Sequence, residues 1–296
     1  MQGYNSAKSR MLAGLTAAAA LAFGGDAPAA TANSCGAETR LMTFNIRLDT
    51  PADGSNAWAF RRAFLTGQVA VLRPDILGLQ EVVVHQKRDL EAALPQYRFL
   101  GVARDDGLDK GEFSNLAISR RAFTVLDSGT FWLSATPDRP SLGWDAAYKR
   151  VVTWAHLRAR SGGRRVLALN SHWDNNGRDA RLASARLIRS WIAAHRRRHE
   201  DVVVMGDFNA RPDSPELATL AASPDPLIDT RQAPSIGSQG TFNAFAAQPE
   251  TSPTIDHIFV SPGLIPLRRA VVSWTADGKV ASDHFAVLAD VGSRCR

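Results

Sequence analysis

Cysteine is scarce in this sequence, since only Cys35 and Cys295 occur among its 296 residues. There is no cysteine cluster, and no H-x-x-x-H pair lies wholly within a predicted helix, which disfavours a structural or protease-type zinc site. The glycines are scattered, so the sequence contains neither a P-loop nor a G-x-S-x-G nucleophile turn. These absences leave a chemistry based on carboxylates, amides and histidines.

Long apolar runs are also absent after the N-terminus, which predicts no stable membrane insertion. At the N-terminus, Lys8 and Arg10 precede an apolar run over 11–23, and small residues follow up to Ala32. This order predicts a secretory signal peptide over 1–32, a single domain over 33–296, and a secreted or periplasmic protein. A short buried helix or a disordered tail is the alternative interpretation of the N-terminus.

Export would place both cysteines in an oxidising compartment, which favours a disulfide between Cys35 and Cys295 over two unpaired thiols. Without residues 1–32 the chain keeps 33 basic and 28 acidic side chains, a net charge of +5. Such a charge suits a phosphate-bearing or polyanionic partner, although only weakly.

Short apolar runs alternate with helical patterns along the chain. Buried strands are predicted over 40–48 and 75–82, and a hairpin over 151–160 and 164–171. Helical spacing recurs over 59–73, 85–94 and 178–198. The pattern predicts sheets packed face to face, with helices outside.

Polar residues recur where the predicted strands end. They are Asn45, Glu81, His172, Asp174, Asn175, Asp207, Asn209, Asp256, Asp283 and His284. One such residue alone would be a turn residue or a helix N-cap, whereas a set of them predicts a shared pocket at one sheet edge. Asp207 and Asn209 are two residues apart, so an extended chain would point them to the same side.

Carboxylate and amide oxygens are the ligands that Mg²⁺ and Mn²⁺ prefer. Histidines beside carboxylates suit proton transfer or phosphate binding. A hard metal, acidic ligands, an imidazole and basic residues together indicate displacement at phosphorus.

The ordered series TFNIR, LQE, NSHWDN, GDFNA, TIDHIFV and SDHFAV resembles the endonuclease/exonuclease/phosphatase superfamily over about residues 38–292. The resemblance implies an α/β fold, a four-layered sandwich in which two mixed sheets lie face to face with helices outside. It also implies an exported bacterial member that hydrolyses phosphodiesters or phosphomonoesters by metal-assisted attack of water on phosphorus.

The resemblance further assigns catalytic roles. Asp207 would orient or deprotonate the attacking water, and Asn209 would donate to the phosphate. Asp256 would orient His284, which would contact the phosphate or help activate the nucleophile. His172 would contact the phosphate or stabilise the leaving oxygen.

On the metal side, the resemblance assigns Glu81 as a ligand, with Asn45 beside it and Asp283 as a further carboxylate. Whether the site binds one metal ion or two remains open. His257 stands where relatives often have a tyrosine and is interpreted as strand packing. Glu112 matches no expected family residue.

The predicted substrate contacts are Asp174, Asn175, Arg178, Arg181 and Trp173. The two arginines either bind a phosphate or stay solvated on a helix face, and Trp173 either stacks on a ligand or packs in the core.

The leading hypothesis is an exported, monomeric enzyme that hydrolyses a small or terminal phosphate ester. The alternatives are a secreted nuclease acting on DNA or RNA, and a catalytically inactive module that binds a phosphate ligand.

Overall fold

The computed structural model describes residues 37–237, 240–249 and 251–294. The predicted signal peptide over 1–32 and both cysteines, Cys35 and Cys295, lie outside the described residues. Within them, no helix is both long enough and apolar enough to cross a membrane.

The described chain forms strands and helices in alternating groups. The strands are β1 (Thr39–Asn45), β2 (Ile76–Gln80), β3 (Tyr97–Leu100), β4 (Leu116–Ser119), β5 (Phe123–Trp132), β6 (Val151–Ala159), β7 (Arg165–His172), β8 (Glu200–Asp207), β9 (Ile228–Asp229), β10 (Ser235–Ile236), β11 (Asp256–Val260), β12 (Leu264–Val272) and β13 (Ala286–Ser293). The α-helices are α1 (Trp58–Leu72), α2 (Val84–Ala93), α3 (Arg178–His195) and α4 (Pro215–Leu220). Two 3₁₀ turns cover Pro51–Asn56 and Thr230–Gln232.

The strands build two mixed sheets. The first has seven strands in the order β10-β12-β13-β1-β2-β4-β3, and the second has six in the order β5-β6-β7-β8-β11-β9. Successive residues of a strand point to opposite faces of its sheet, so each sheet supplies two apolar layers. Leu41 of β1 and Val203 of β8 belong to the core between the sheets.

The neighbouring residues of these strands point outward. Met42 packs with α1 and α2 against the outer face of the first sheet. Val204 packs with α3 and α4 against the outer face of the second sheet. The molecule is therefore a four-layered α/β sandwich, which confirms the fold expected from the resemblance.

The predicted helices over 59–73 and 85–94 correspond to α1 and α2, and the hairpin corresponds to antiparallel β6 and β7. The predicted third helix ends early, at His195. The first two predicted strands are also too long, because Arg47 and Glu81 adopt left-handed φ angles of 57° and 59°. These turns stop β1 at Asn45 and β2 at Gln80.

The topology collects strand ends at one edge of the sandwich. β1 runs parallel to β2, and β7 runs parallel to β8, so four carboxyl ends lie at this edge. β11 is antiparallel to β8 and places Asp256 opposite Asp207. β13 is antiparallel to β1, so the loop that precedes it arrives at the same edge.

A buried amide network connects the two sheets directly beneath this edge. Gln80 Nε2 donates to Asn170 Oδ1 at 2.6 Å and to Thr43 Oγ1 at 3.0 Å. Asn170 Nδ2 in turn donates to the carbonyl oxygen of Asn115 at 2.8 Å. Gly78 makes the close approach possible, since a Cβ there would lie 2.5 Å from Asn170 Oδ1. The floor of the edge is thus fixed by side chains from both sheets.

Candidate active site

Asn45 joins the carboxylates of the two sheets. Its Nδ2 donates to Glu81 Oε1 at 2.9 Å and to Asp207 Oδ2 at 3.0 Å. Its Oδ1 accepts from the backbone N–H of Arg47 at 3.0 Å. The turn after β1 also supplies the Leu48 N–H, which donates to Glu81 Oε2 at 3.2 Å. In this arrangement Asn45 positions Glu81 and Asp207 through its amide nitrogen.

His284, from the loop before β13, lies between the carboxylates of Asp207 and Asp256 at the end of the second sheet. His284 Nδ1 lies 2.9 Å from Asp256 Oδ2, and His284 Nε2 lies 3.7 Å from Asp207 Oδ2. Burial alone would lower the pKa of His284, but the charges of Asp256 and Asp207 outweigh it and raise this pKa to about 10. Burial and then the charge of Asp256 raise the pKa of Asp207 to about 7.

His172 also lies close to Asp207. Asn209 Nδ2 donates to His172 Nε2 at 3.0 Å, and His172 Nε2 lies 3.5 Å from Asp207 Oδ2. Burial, joined by the positive charges of Arg150 and Arg104, lowers the pKa of His172 well below its ordinary value. Because Nε2 accepts, the neutral imidazole carries its proton on Nδ1.

The route by which Asp207 and Asn209 converge differs from the expectation of an extended chain. β8 ends at Asp207, and Asn209 adopts a left-handed φ of 47°. The backbone N–H of Asn209 then donates to Asp207 Oδ1 at 3.0 Å, closing a turn. Asn209 Nδ2 donates to both His172 Nε2 and the carbonyl oxygen of Trp173, at 3.0 Å each. Both N–H groups of the Asn209 amide are engaged, so Asn209 positions His172. Neither N–H is left to donate to a phosphate, which is the role that the resemblance had implied.

Ligand atoms suitable for a metal lie close together in two groups of the described residues. Within each group the atoms lie within 4.8 Å of one another, and the groups are Glu81, His172 and Asp207, and Asp207, Asp256 and His284. The second group suits a cation poorly, because a protonated His284 has no lone pair to offer.

The first group fits Mg²⁺ or Mn²⁺ better, because it offers carboxylate oxygens from Glu81 and Asp207. Burial and the charge of Asp256 raise the pKa of Asp207 because they disfavour its negative form, and a nearby cation would offset this cost. Asp283 belongs to neither group. Its Oδ2 lies 3.8 Å from Arg47 Nε, and burial raises its pKa, so its role as a ligand stays a prediction.

Three of the predicted substrate contacts have structural partners instead. Trp173 has 0% exposure and stacks on Phe208 with ring centroids 4.2 Å apart, so the expected ligand stacking is wrong and the ring belongs to the core. Asp174 is also buried, and its carboxylate accepts N–H groups from the 147–148 and 176–177 segments. Arg181 donates to the Asp174 carbonyl oxygen at 2.9 Å and lies 3.5 Å from Glu216.

The remaining two predicted contacts, Asn175 and Arg178, are exposed. Asn175 Oδ1 accepts from Arg150 Nη2 at 3.0 Å, which connects it to a buried cation that the sequence analysis missed. His257, in contrast, is a core residue as expected: it is buried, and its Nε2 lies 2.9 Å from the carbonyl oxygen of Ala210.

Four residues outside the recognised motifs form a connected group beside His172. They are Arg104, Glu112, Tyr148 and Arg150. Glu112 Oε2 accepts from Arg104 Nη1 at 2.8 Å and lies 3.9 Å from His172 Nδ1. Arg150 Nε donates to Asp174 Oδ2 at 3.3 Å. The only sequence signal was that Glu112 had no family counterpart.

The four-layered sandwich, with acids and histidines of both sheets at one edge, defines a phosphoesterase. The sequence profile described as the Endonuclease/Exonuclease/phosphatase family matches residues 42–284, and the chain belongs to this family.

Solved structures agree with this assignment. An endonuclease/exonuclease/phosphatase family protein from Bacteroides thetaiotaomicron is 32% identical, with a TM-score of 0.84 over 88% of this chain and 99% of that chain. A mannosyl-6-phosphatase from Bacteroides thetaiotaomicron VPI-5482 is 33% identical, with a TM-score of 0.82 over 86% of this chain and 99% of that chain.

A more distant similarity shows the fold alone. D. rerio TDP2, solved with a single-strand DNA product, is 18% identical, with a TM-score of 0.67 over 87% of this chain and 100% of that chain. A comparison with curated protein sequences finds no match.

Proposed function

We propose that this phosphoesterase is an exported, Mg²⁺- or Mn²⁺-dependent phosphomonoesterase that acts on a phosphorylated sugar. The observation that carries the proposal is the meeting of Glu81, Asp207 and His284 at one buried edge. The substrate class is supported by the similarity to a mannosyl-6-phosphatase at 33% identity over 99% of that chain.

The residues of the chain divide the reaction between them. Asp207 accepts the proton of the attacking water, because its carboxylate lies between His172 and His284. His284, held protonated by Asp256, contacts an anionic phosphate oxygen. Glu81, with Asn45 and Asp283 beside it, would hold the cation, which when bound neutralises charge that develops on the phosphate oxygens.

His172 contributes differently, because it is neutral. Its Nδ1 has no hydrogen-bond partner, and its Nε2 is held by Asn209. The neutral Nδ1–H lies 3.9 Å from Glu112 Oε2, and it can donate to a phosphate oxygen or to the leaving oxygen without a change in its own charge. Asn209 therefore serves the reaction by fixing the orientation of this imidazole.

The proposal is tested with the purified protein and a panel of substrates. Sugar 6-phosphates, inositol phosphates, plasmid DNA and RNA are incubated with chelator, and then with Mg²⁺ or Mn²⁺ restored. We expect phosphate release from a sugar 6-phosphate that stops in chelator and returns with either metal. Cleavage of DNA or RNA without phosphate release from any monoester would replace the proposal with the nuclease hypothesis. Hydrolysis of none of the substrates in the presence of metal would favour an inactive binding module.

Export is tested separately from activity. Residues 1–32 should be missing from the protein recovered outside the cytoplasm, and mass spectrometry of its N-terminus would identify the cleavage site. An intact N-terminus on cytoplasmic protein would contradict export without affecting the proposed reaction.

A further inference from the structure

Two arginines from different sheets approach the site from the same side. A bridge between Val82 and Phe113 places the preceding residue, Glu112, beside the turn that holds Glu81. The backbone N–H of Arg104 donates to the Glu112 carbonyl oxygen at 3.0 Å, so Arg104 flanks the first-sheet half of the site.

The other arginine belongs to the second sheet. Arg150 directly precedes β6, whose Val152 pairs with Ser171 of β7, and His172 is the next residue of β7. Arg150 therefore flanks His172 as Arg104 flanks Glu81. Tyr148 links the two, because its ring centroid lies 5.0 Å from Arg104 Cζ and 5.5 Å from Arg150 Cζ.

The polar atoms of this arginine–tyrosine cluster (Arg104, Tyr148 and Arg150) are incompletely paired. The Arg150 side chain has 5% exposure, yet its Nη1 has no hydrogen-bond partner. Arg104 Nε is also buried without a hydrogen-bond partner, and its ion-pair neighbour Asp105 Oδ1 lies 3.9 Å away. A buried guanidinium nitrogen without an acceptor is unfavourable, so a ligand that supplies acceptor oxygens would relieve both positions.

Charge points to the same kind of ligand. Arg104 pairs with Glu112 at 2.8 Å and Arg150 with Asp174 at 3.3 Å. The Asp174 carboxylate is shared among four backbone N–H groups, at Ala147, Tyr148, Asn176 and Gly177. It therefore offsets the Arg150 cation only in part. Guanidinium groups match the planar spacing of phosphate oxygens.

We propose that the arginine–tyrosine cluster is a specificity subsite that selects the dianion of a terminal phosphate monoester over the monoanion of a phosphodiester. The inference rests on the proposed function, because it explains which ester that site accepts. A phosphate monoester presents three non-bridging oxygens and a second negative charge. The guanidinium groups of Arg104 and Arg150 contact these oxygens. Tyr148 is 50% exposed and offers its ring to the alcohol part of the ester.

The test compares one monoester, p-nitrophenyl phosphate, with one diester, bis(p-nitrophenyl) phosphate, and measures binding of inorganic phosphate by calorimetry in the presence of Mg²⁺. The variants are Arg104→Met, Arg150→Met and Arg150→Lys. The lysine retains the positive charge but lacks the planar guanidinium group. Arg198→Met is the matched control, because Arg198 is exposed beyond the end of α3, at the amino end of β8.

Loss of a charged hydrogen bond predicts that Arg104→Met and Arg150→Met each weaken phosphate binding and monoester kcat/KM roughly ten- to a hundredfold. The kcat/KM for the diester should change by less than about threefold, since a diester carries only one negative charge on its non-bridging oxygens. Arg150→Lys should lie between the wild type and Arg150→Met, and Arg198→Met should match the wild type.

Arg104→Met keeps the test decisive if the Arg150 variants fail to fold. Unchanged phosphate affinity and an unchanged monoester-to-diester ratio in folded Arg104→Met would overturn the subsite while the proposed hydrolysis could still stand. Phosphate binding that depends on Arg104 in a protein that hydrolyses no monoester would support the subsite and overturn the proposed function.

Discussion

Replacing Asp207 with asparagine separates its chemical role from its effect on stability. The carboxylate is buried, its Oδ1 accepts from the Asn209 N–H at 3.0 Å, and its Oδ2 accepts from Asn45 Nδ2 at 3.0 Å. Removal of a positioned base should lower kcat by roughly 10²- to 10⁴-fold. The fold should nevertheless survive, because asparagine has nearly the same shape.

Asp207→Asn should raise the free energy of unfolding even though it lowers kcat. Burial and the charge of Asp256 raise the pKa of Asp207 from 3.8 to about 7. A carboxyl group with a raised pKa in the folded state binds protons that the unfolded chain releases, so stability falls as the pH rises from about 4 to about 7. The full pKa difference corresponds to about 4 kcal/mol above pH 7. Asparagine removes this penalty, and we expect a gain of about 1 to 4 kcal/mol, because its amide group satisfies the neighbouring donors less well.

Urea denaturation in chelator, so that no bound cation contributes, measures the difference between Asp207→Asn and the wild type. The gain should be greatest at pH 8 and shrink as the pH approaches 4, while kcat is measured separately with metal. Asp213→Asn is the control, because Asp213 is exposed on the loop that follows the same strand. A destabilised Asp207→Asn at pH 8, or a gain that does not depend on pH, would refute the electrostatic reasoning. Near-normal kcat would remove Asp207 from the mechanism.

Two further predictions concern packing and covalent structure. Trp173→Phe should lower the free energy of unfolding by about 1 to 3 kcal/mol, because the smaller ring leaves buried volume unfilled, while KM stays within about twofold of the wild type. Thermal unfolding and steady-state kinetics measure the two effects. A large change in KM at constant stability would show that Trp173 contacts the ligand after all. Non-reducing digestion and mass spectrometry should find Cys35 linked to Cys295, with an upper stabilisation of about 5 kcal/mol; two free thiols would contradict the linkage.

The sequence was most informative where strand ends carry polar residues. β1, β2, β7 and β8 each end beside a predicted site residue, and the residues at these ends do lie together. Apolar alternation reveals such ends, because a strand that packs on both faces must become polar where it leaves the core. The resemblance supplied the four-layered sandwich, but the order of strands in each sheet came only from the structure, since alternation does not specify which strands pair.

The sequence was least informative where a side chain's role depends on its neighbours in space. Trp173 follows His172 directly, yet it turns into the outer core and stacks on Phe208. Arg104 and Arg150 are 46 residues apart in the sequence, and only the joining of the two sheets brings both of them near Tyr148. No local pattern distinguishes such arginines from solvated ones.

The two site histidines show why residue type alone did not define the chemistry. His172 and His284 both follow polar motifs, and both lie within 3.7 Å of the same Asp207 oxygen. Asp256 lies against Nδ1 of His284 and its charge helps to raise the pKa of that histidine, whereas Arg150 and Arg104 help burial to lower the pKa of His172. One imidazole is therefore a cation suited to an anionic oxygen, and the other is a neutral donor. The two histidines look equivalent in the sequence. Their difference in charge arises from charged residues of the second sheet and of the loops that are remote in sequence, so it could be assigned only from the folded structure.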